Sequence, residues 1–427
     1  MRVEVALARR LGTGDAVVIG LGSMIGAGVF SAFAPAAAAA GSGLLIGLAL
    51  AAGVAYCNAV ASAQLAAQYP TSGGTYVYGR ERLGDWWGFL AGWGFVVGKT
   101  ASCAAMALTF ASYAVPGSEW AQRLAALLAV AVLTAANYHG ITRTAGLARV
   151  LVAASVLALL IVVVAIAASG NTDTANLDGS ASLRSGGVYG VLQSAALLFF
   201  AFAGYARIAT LGEEVRDPER TIPKAIPIAL AITVALYAAV ALAALLAAGP
   251  DALAASTAPV ATAAKLAGAA WAVPVVRVGA AVASLGALLA LIAGIGRTSL
   301  AMARNGDLPG WLAAVHPRHR VPGHAELAVA AVVSVLVLTT DLRGAIGFSS
   351  FGVLTYYAIA NAAAYTQPSE RRRWPRALNV VGLVACAALA VTLPLSAVLA
   401  GLAVLAVGLA GRLILRREPG SGIGQET

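Results

Sequence analysis

The lysine at position 99 lies in the middle of a long apolar run, GWGFVVGKTASCAAMA, which is an unusual place for an ionisable side chain. A charged group at the centre of a membrane-spanning helix costs about 3 kcal/mol on insertion scales, so such groups commonly mark sites or ion pathways. Lys99 could therefore carry a proton between the two faces of a membrane. The structural alternative is a lysine that extends to the membrane surface or donates to an internal backbone carbonyl.

Four glycines fall within nine residues in the segment GLGSMIGAGVF, residues 20–30. A glycine costs about 1 kcal/mol relative to alanine inside a helix, so the segment favours a local break. A broken helix frees backbone amides and presents the positive end of its second half, which suits a carboxylate. Close helix packing through the Gly22-xxx-Gly26 spacing explains the same glycines equally well. The candidate site residues here are Ile25, Gly26, Ala27 and Gly28.

A second segment, FFAFAGYARIA at residues 199–209, combines a glycine with flanking aromatic residues inside another apolar run. Gly204 permits a local break there. The two segments occupy corresponding positions, the first and the sixth helix, of two five-helix halves. Paired interrupted helices of this kind indicate a transporter built from inverted repeats, with its site at the membrane midplane. The candidate site residues in the second segment are Phe200, Ala201, Phe202, Ala203 and Gly204.

The composition is that of an integral membrane protein. Hydrophobic residues make up 60% of the 427 positions and charged residues 11%, and the mean hydropathy is +0.84. Soluble globular proteins carry about 25% charged residues, so an ordinary soluble enzyme, a disordered chain and a disulfide-stapled module are excluded. The net charge of +10 comes from basic residues between apolar runs. They are explained as topology signals, and no nucleic-acid partner is expected.

Apolar runs interrupted by charge predict an all-α membrane protein with about twelve transmembrane helices. The predicted spans are 15–39, 44–68, 84–114, 121–139, 144–169, 187–212, 224–248, 273–303, 324–340, 344–365, 376–391 and 393–416. Arginines cluster in alternate connections, so the positive-inside rule predicts that both termini are cytoplasmic. The bias towards arginine, alanine and glycine suggests a bacterial source, and hence a multi-pass protein of the bacterial plasma (inner) membrane.

The whole chain, residues 1–427, is predicted to form one transmembrane domain. Its parts are a first five-helix repeat at 12–169, an inverted second repeat at 187–365, and two further helices at 376–416. We also expect an ordered polar outer loop at Asn171–Gly187, a short outer helix within Pro250–Ala272, and a disordered polar tail over 418–427.

Three segments carry a family resemblance: GLGSMIGAGVF at 20–30, FFAFAGYARIATLGEEVRDPERTIPKAI at 199–226, and MARNGDLPGWLAAVHPRHRVPGHAE at 302–326. Together they resemble the amino acid–polyamine–organocation (APC) superfamily of permeases, nearest to the bacterial subgroup that is similar to cationic amino acid transporters. The resemblance implies a five-plus-five inverted repeat with discontinuous helices 1 and 6, two C-terminal helices, and an amino acid held at the two breaks.

The resemblance also implies roles for individual residues. The backbone around Gly26, Ala27 and Gly28 would receive the α-carboxylate of the substrate. The carbonyls near Phe200, Ala201 and Ala203 would receive its α-amino group. The ring of Phe200 or Phe202 would act as a gate, although plain packing explains these rings as well.

The chain departs from the family pattern after the sixth-helix glycine. Relatives often carry an acidic residue two positions on, whereas this chain has Ala206 followed by Arg207. Without that acid a cationic substrate side chain loses a partner, so we expect neutral amino acids. Arg207 is expected to pair with Glu213 or Glu214 as a structural charge.

A second departure concerns the coupling ion. Several proton-coupled relatives place a lysine in the fifth helix, at about the position where this chain has Ser155. Lys99 is therefore the candidate for proton coupling. The hydroxyls of Ser155 and Ser284 could instead contribute to a sodium site, although a serine in a helix more often bonds its own backbone.

The sequence thus predicts a secondary active transporter that moves a small, neutral amino acid by alternating access, with proton symport. The alternatives are an exchanger of an amino acid for its amine product and a transport-inactive amino acid sensor. No enzyme activity and no cofactor are expected, and the partners are the amino acid and membrane lipids, with the oligomeric state open. His316, His319 and His324 share a loop without an acidic or cysteine ligand, so no metal site is expected.

Overall fold

The first predicted span is divided into three helices in the structure, a computed structural model. These are α1 (Thr13–Met24), α2 (Ala27–Ser31) and α3 (Phe33–Ala40). Glycines and a proline lie at or near each division, where an uninterrupted helix is weakened. The structure describes residues 11–71, 73–140, 145–178 and 186–417.

The other helices follow in chain order and are joined by short turns. They are α4 (Leu44–Gln68), α5 (Thr75–Leu83), α6 (Asp85–Ala114), α7 (Glu119–Tyr138), α8 (Ala145–Ala168), α9 (Gly187–Phe202), α10 (Ala206–Ala209), α11 (Pro218–Ala255), α12 (Pro259–Leu266), α13 (Val273–Arg304), α14 (Gly323–Thr339), α15 (Leu342–Tyr365), α16 (Arg376–Thr392) and α17 (Leu395–Arg417).

The predicted all-α membrane class is confirmed. Each of the twelve predicted runs is helical in the described part of the chain, and no strand forms among the described residues. Nine helical stretches within these residues are long and apolar enough to cross a membrane, and α14 and α16 are shorter apolar helices. The division into two repeats at 12–169 and 187–365 stays a prediction.

Several connections differ in detail from the prediction. Helix α5 was not predicted, because its charged sequence TYVYGRERL contains no apolar run. Helix α11 continues beyond its predicted end to Ala255, across a kink at Gly249. The outer helix expected after it forms as α12. Residues 179–185 of the expected outer loop and the tail 418–427 lie outside the described residues.

The broken helices lie in the interior of the bundle. Every residue of α2 is buried, as is the whole second half of α9. Helix α6 packs along α13 and α15, and α4 packs against α9 and α11. Lys99, on α6, is therefore enclosed by other helices instead of facing lipid.

Three of the arginine-bearing connections in the described part of the chain meet at one end of the bundle, which we call the arginine-rich end. Arg82, on α5, donates to the Thr366 hydroxyl at 3.1 Å, although the two connections are far apart in sequence. Arg416, at the end of α17, lies 3.3 Å from the carboxylate of Asp85 at the start of α6. These three basic connections therefore lie on one face of the folded molecule.

A buried carboxylate holds this end together. Asp307, just after α13, accepts hydrogen bonds from Arg412 Nε and Tyr76 Oη, both at 2.8 Å, and from Arg80 at 3.1 Å. The Arg412 guanidinium also lies over the Trp86 ring, 4.4 Å from its centroid. A buried charge is tolerated only when it is paired, so this cluster fixes α5, α6 and α17 to the end of α13.

Candidate functional site

The first helix is interrupted at Ile25 and Gly26, within the predicted segment. Helix α1 ends at Met24, Ile25 has φ −78° and ψ 67°, and Gly26 has φ −116° and ψ −142° before α2 begins. The first amides of a helix have no intrahelical acceptor, so those of Ala27 and Gly28 are available to other partners. The break thus presents backbone donors inside the protein.

The sixth predicted helix is tightened at the expected position. Helix α9 ends at Phe202, a 3-10 turn spans Ala203–Tyr205, and α10 resumes at Ala206. A 3-10 turn replaces the regular hydrogen-bond pattern, so nearby carbonyls can accept other donors. The second break changes only the type of helical turn, whereas the first break contains two residues with non-helical backbone angles.

The two breaks pack directly against each other, and glycine makes this possible. A Cβ atom at Gly204 would lie 2.2 Å from the carbonyl oxygen of Ser23. A Cβ atom at Gly28 would lie 2.5 Å from the Cα of Ala201. No side chain fits at such distances, so the predicted segments meet backbone to backbone. Close packing and helix breaking, which the sequence left as alternatives, occur together.

Tyr237 on α11 joins the two breaks through its hydroxyl. Tyr237 Oη lies 2.5 Å from the carbonyl oxygen of Met24 and 3.1 Å from that of Ala201. Its ring packs against Phe202, with centroids 5.1 Å apart. Sequence reasoning missed this residue. The available signal was a tyrosine within the apolar run ALAITVALYAAVALA, where a buried hydroxyl needs a partner.

Lys99 contacts the second break. Its side chain is buried, and Nζ donates to the carbonyl oxygen of Ala203 at 3.1 Å. The hydroxyl of Tyr357, on α15, approaches the same oxygen at 3.4 Å. No ion pair of Lys99 occurs within the described residues. The internal carbonyl partner that the sequence allowed is therefore a member of the predicted substrate site.

The two predicted serines are buried but differ in their bonding. Ser155 Oγ donates to the carbonyl of Leu151 at 2.8 Å, the common arrangement for a serine inside a helix. Ser284 Oγ has no hydrogen-bond partner in the described structure. Among the described residues, no cluster of three or more His, Cys, Asp or Glu side chains could hold a metal ion.

A small, partly open pocket, which we call the cavity, lies on the arginine-rich side of the second break. The residues that line it are Ser62, Gly73, Gly74, Thr75, Tyr76, Tyr78, Phe95, Ala206, Ala209, Thr210, Thr298 and Tyr356. Three of these residues belong to α10 or to the turn just after it. The cavity therefore starts where the second half of the broken helix begins.

Arg207 borders this cavity. Arg207 Nη1 donates to the hydroxyl of Thr210, a lining residue, at 3.0 Å, and Nη2 lies 3.8 Å from the carboxylate of Glu214. The expected pairing with Glu214 is confirmed. Arg297 acts electrostatically on Arg207 and directly precedes the lining residue Thr298. Two arginines therefore lie beside the cavity, and Arg207 has Glu214 as its counter-charge.

Comparison with known proteins shows to which family the chain belongs. The model of the amino acid permease family matches residues 11–411. The chain belongs to this family, within the APC superfamily. The permease is accordingly a multi-pass membrane transporter and not an enzyme, and the predicted resemblance is confirmed.

Relatives of the permease differ in what their names specify. A protein of Mycobacterium tuberculosis (strain ATCC 25618 / H37Rv) named an uncharacterized transporter is 62% identical over 415 residues, covering 96% of the permease and 93% of the relative. The branched-chain amino acid permease BcaP of Bacillus subtilis (strain 168) is 27% identical over 409 residues, covering 91% and 87%. Cationic amino acid transporter 7, chloroplastic, of Arabidopsis thaliana is 28% identical over 392 residues, covering 84% and 66%.

Family membership establishes amino acids as the class of substrate. The names of the relatives include both branched-chain and cationic amino acids. The permease itself carries the two interrupted helices, the lysine on the second break and the two arginines beside the cavity described above.

Proposed function

We propose that the permease is a secondary transporter of a small neutral amino acid, working by alternating access with proton symport through Lys99. The observation that carries the proposal is the hydrogen bond from Lys99 to the carbonyl of Ala203. It joins an ionisable side chain to backbone that we expect to bind the substrate.

The substrate would bind through its main-chain groups. Its carboxylate would take the free amides around Gly26, Ala27 and Gly28, where the positive end of a helix favours an anion. Its ammonium group would take the carbonyls near Phe200 and Ala201 and the second lone pair of the Ala203 carbonyl, whose other donor is Lys99. Bilayer-embedded transporters commonly place substrates at such broken helices.

Binding in this position requires the two breaks to separate, because they are in contact here. The Tyr237 hydroxyl donates to the carbonyl oxygen of Ala201 in this structure, so the substrate ammonium would have to replace this hydroxyl as the donor. The ring of Phe202, which packs on Tyr237, or the ring of Phe200 would then close over the ligand as a gate.

The preference for neutral side chains follows from the charge around the cavity. No carboxylate lines the cavity among the described residues, whereas Arg207 and Arg297 lie near it, beside Glu214 and Glu326 respectively. A cationic side chain that crosses this region meets like charges, which raises its energy. The name of the branched-chain relative agrees with this choice.

Symport follows if protonation of Lys99 raises the affinity for substrate and bound substrate raises the proton affinity of Lys99. A charged donor makes a hydrogen bond roughly twice as strong as a neutral one. Protonated Lys99 would therefore hold the Ala203 carbonyl in the geometry that receives the substrate. By thermodynamic linkage the bound substrate raises the proton affinity of Lys99 by the same factor. The substrate and the proton are therefore carried together.

The arginine-rich end would face the cytoplasm, as the positive-inside rule requires. The cavity beside the second break is then the cytoplasmic entrance, and the protein would lie in a bacterial plasma membrane. Helices α1 to α4 and α9 to α11, which form the predicted first, second, sixth and seventh spans and pack on one another, would rock against the other helices. The inverted repeat at 12–169 and 187–365 would make the two halves of that motion alike.

The test is uptake of a panel of radiolabelled amino acids by purified permease in proteoliposomes. An inward proton gradient without sodium should drive accumulation of neutral amino acids and not of lysine or arginine. Uptake only with sodium, or only with internal counter-substrate, would overturn proton symport and favour a sodium symporter or an exchanger. Binding without either kind of movement would favour a sensor.

A further inference from the structure

The cavity approaches Lys99 closely. Phe95 lines the cavity and lies four residues before Lys99 on α6. Residues four apart in a helix lie on the same face, one turn from each other. The space on the arginine-rich side therefore ends about one helical turn, roughly 5.4 Å along the axis, from the base of the lysine side chain.

Two adjacent tyrosines on α15 bridge the remaining distance. Tyr357 places its hydroxyl 3.4 Å from the Ala203 carbonyl oxygen, the acceptor that it shares with Lys99. Tyr356 lines the cavity and packs on Phe95, with ring centroids 5.6 Å apart. The two tyrosine rings lie 4.2 Å from each other. One residue of the pair thus shares the acceptor of Lys99, and the other lines the cavity.

Polar groups of neighbouring helices lie along the same line. The hydroxyl of Ser62 is buried without a hydrogen-bond partner among the described residues, and the hydroxyls of Tyr356 and Tyr205 both interact with that of Tyr357. The Tyr205 ring stacks on that of Tyr357 at 5.0 Å, and Ser62 lines the cavity. An unsatisfied buried hydroxyl costs about 1–3 kcal/mol, so Ser62 is suited to form a hydrogen bond with water that enters from the cavity.

Other ionisable groups act little on Lys99. On its own helix the Cys103 thiol is the group that interacts with it. On the neighbouring α13 and α14, Arg297 and Glu326 act on each other. On α15 the groups that face it are the two tyrosines, and no carboxylate of the described residues lies within ion-pair distance. A proton that leaves Lys99 therefore has hydroxyls, and not an acid, as its first acceptors.

We propose that Tyr357 and Tyr356, with the hydroxyl of Ser62, form the route by which the Lys99 proton passes to and from the cavity. The inference rests on the proposed proton symport. For one passage the Lys99 ammonium and the Tyr357 hydroxyl would turn from their shared acceptor towards each other and towards Tyr356. The ammonium gives a proton to the Tyr357 oxygen as that hydroxyl gives its own proton to the Tyr356 oxygen, and Tyr356 gives its own proton to water in the cavity. The lysine ends neutral, each tyrosine ends neutral, and one proton enters the cavity.

The test compares two transport modes in proteoliposomes for Tyr356→Phe, Tyr357→Phe and the double variant. Phenylalanine keeps the stacked rings and removes only the hydroxyls. Exchange of labelled for unlabelled substrate at equal pH needs no release of the proton, whereas accumulation driven by a pH gradient does. We expect the double variant to lose gradient-driven uptake by about tenfold or more, a usual size for the loss of a proton-transfer group, with exchange within about twofold of the parent protein.

The matched control is Tyr113→Phe. Tyr113 is also a buried tyrosine but lies on α6, where its hydroxyl donates to the Phe30 carbonyl at 2.7 Å. If Tyr113→Phe alters transport, exchange and gradient-driven uptake should change by the same factor. Equal loss of exchange and gradient-driven uptake in the double variant, or no loss in either, would overturn the tyrosine route. If the parent protein shows no gradient-driven uptake, symport itself fails, and that result is distinct from any result with the variants.

Discussion

Lys99 and Ala203 are 104 positions apart in the chain, yet the ammonium of one donates to the carbonyl of the other at 3.1 Å. The pair connects a membrane-buried charge with the backbone of a broken helix. A change in the charge of the lysine therefore acts directly on the shape of the second break, which gives the pair the position that a coupling element requires.

Replacing Lys99 should separate transport from the proton gradient. In Lys99→Met the stem remains but no charge can form, so we expect substrate exchange to persist while uptake loses its dependence on pH. Radiolabel uptake at a series of imposed pH gradients measures this. The control is Lys224→Met, which removes an exposed lysine at the start of α11. A steep pH dependence that survives in Lys99→Met would remove the lysine from the mechanism.

Gly204 should tolerate no side chain. In Gly204→Ala the new methyl group would overlap the Ser23 carbonyl, so the two breaks are forced apart and substrate affinity should fall by at least about tenfold, or roughly 1.4 kcal/mol. Binding of radiolabelled substrate to detergent-purified protein measures the effect. Gly294→Ala is the control, because a Cβ there meets no atom within 4 Å. Parent-like affinity in both variants would mean that the contact between the breaks is not needed.

Tyr237→Phe should affect stability and affinity in opposite directions. Loss of the hydroxyl leaves the carbonyls of Met24 and Ala201 without this donor, which should lower the free energy of unfolding by about 1–3 kcal/mol. Substrate would no longer have to displace the hydroxyl, so affinity should rise. Thermal unfolding and equilibrium binding measure the two effects, with the lipid-exposed Tyr56→Phe as control. Weaker binding in Tyr237→Phe would instead make the hydroxyl a direct ligand.

Asp307 should matter for stability more than any surface acid. Asp307→Ala leaves the buried guanidinium of Arg412 without its carboxylate, and breaking a buried pair in this way typically costs about 3–5 kcal/mol. The exposed Asp85→Ala loses only surface pairs with Arg80 and Arg416, which contribute little to stability. Thermal unfolding in detergent compares the two variants. Equal melting temperatures would show that the cluster at the arginine-rich end is not a structural anchor.

Much of the architecture followed from the sequence alone. Apolar runs of membrane-spanning length identified every long helix, because a backbone in lipid must satisfy its own hydrogen bonds and helices do so within one segment. A glycine cluster identified the first interrupted helix, and a single glycine among aromatic residues identified the second, because glycine weakens a helix interior. Helix α5 was missed because it is short and charged, and its position depends on Asp307 and not on hydrophobicity.

The sequence by itself determined the membrane class, the two breaks and the presence of a buried lysine, since these depend on local hydrophobicity and on the helix preference of glycine. Only the tertiary structure decided which groups meet. The hydroxyl of Tyr237 joins both breaks, Gly204 packs on Ser23, and Lys99 selects the carbonyl of Ala203. These contacts join helices distant in sequence, and the partner of a buried polar group is fixed by how the helices pack against one another.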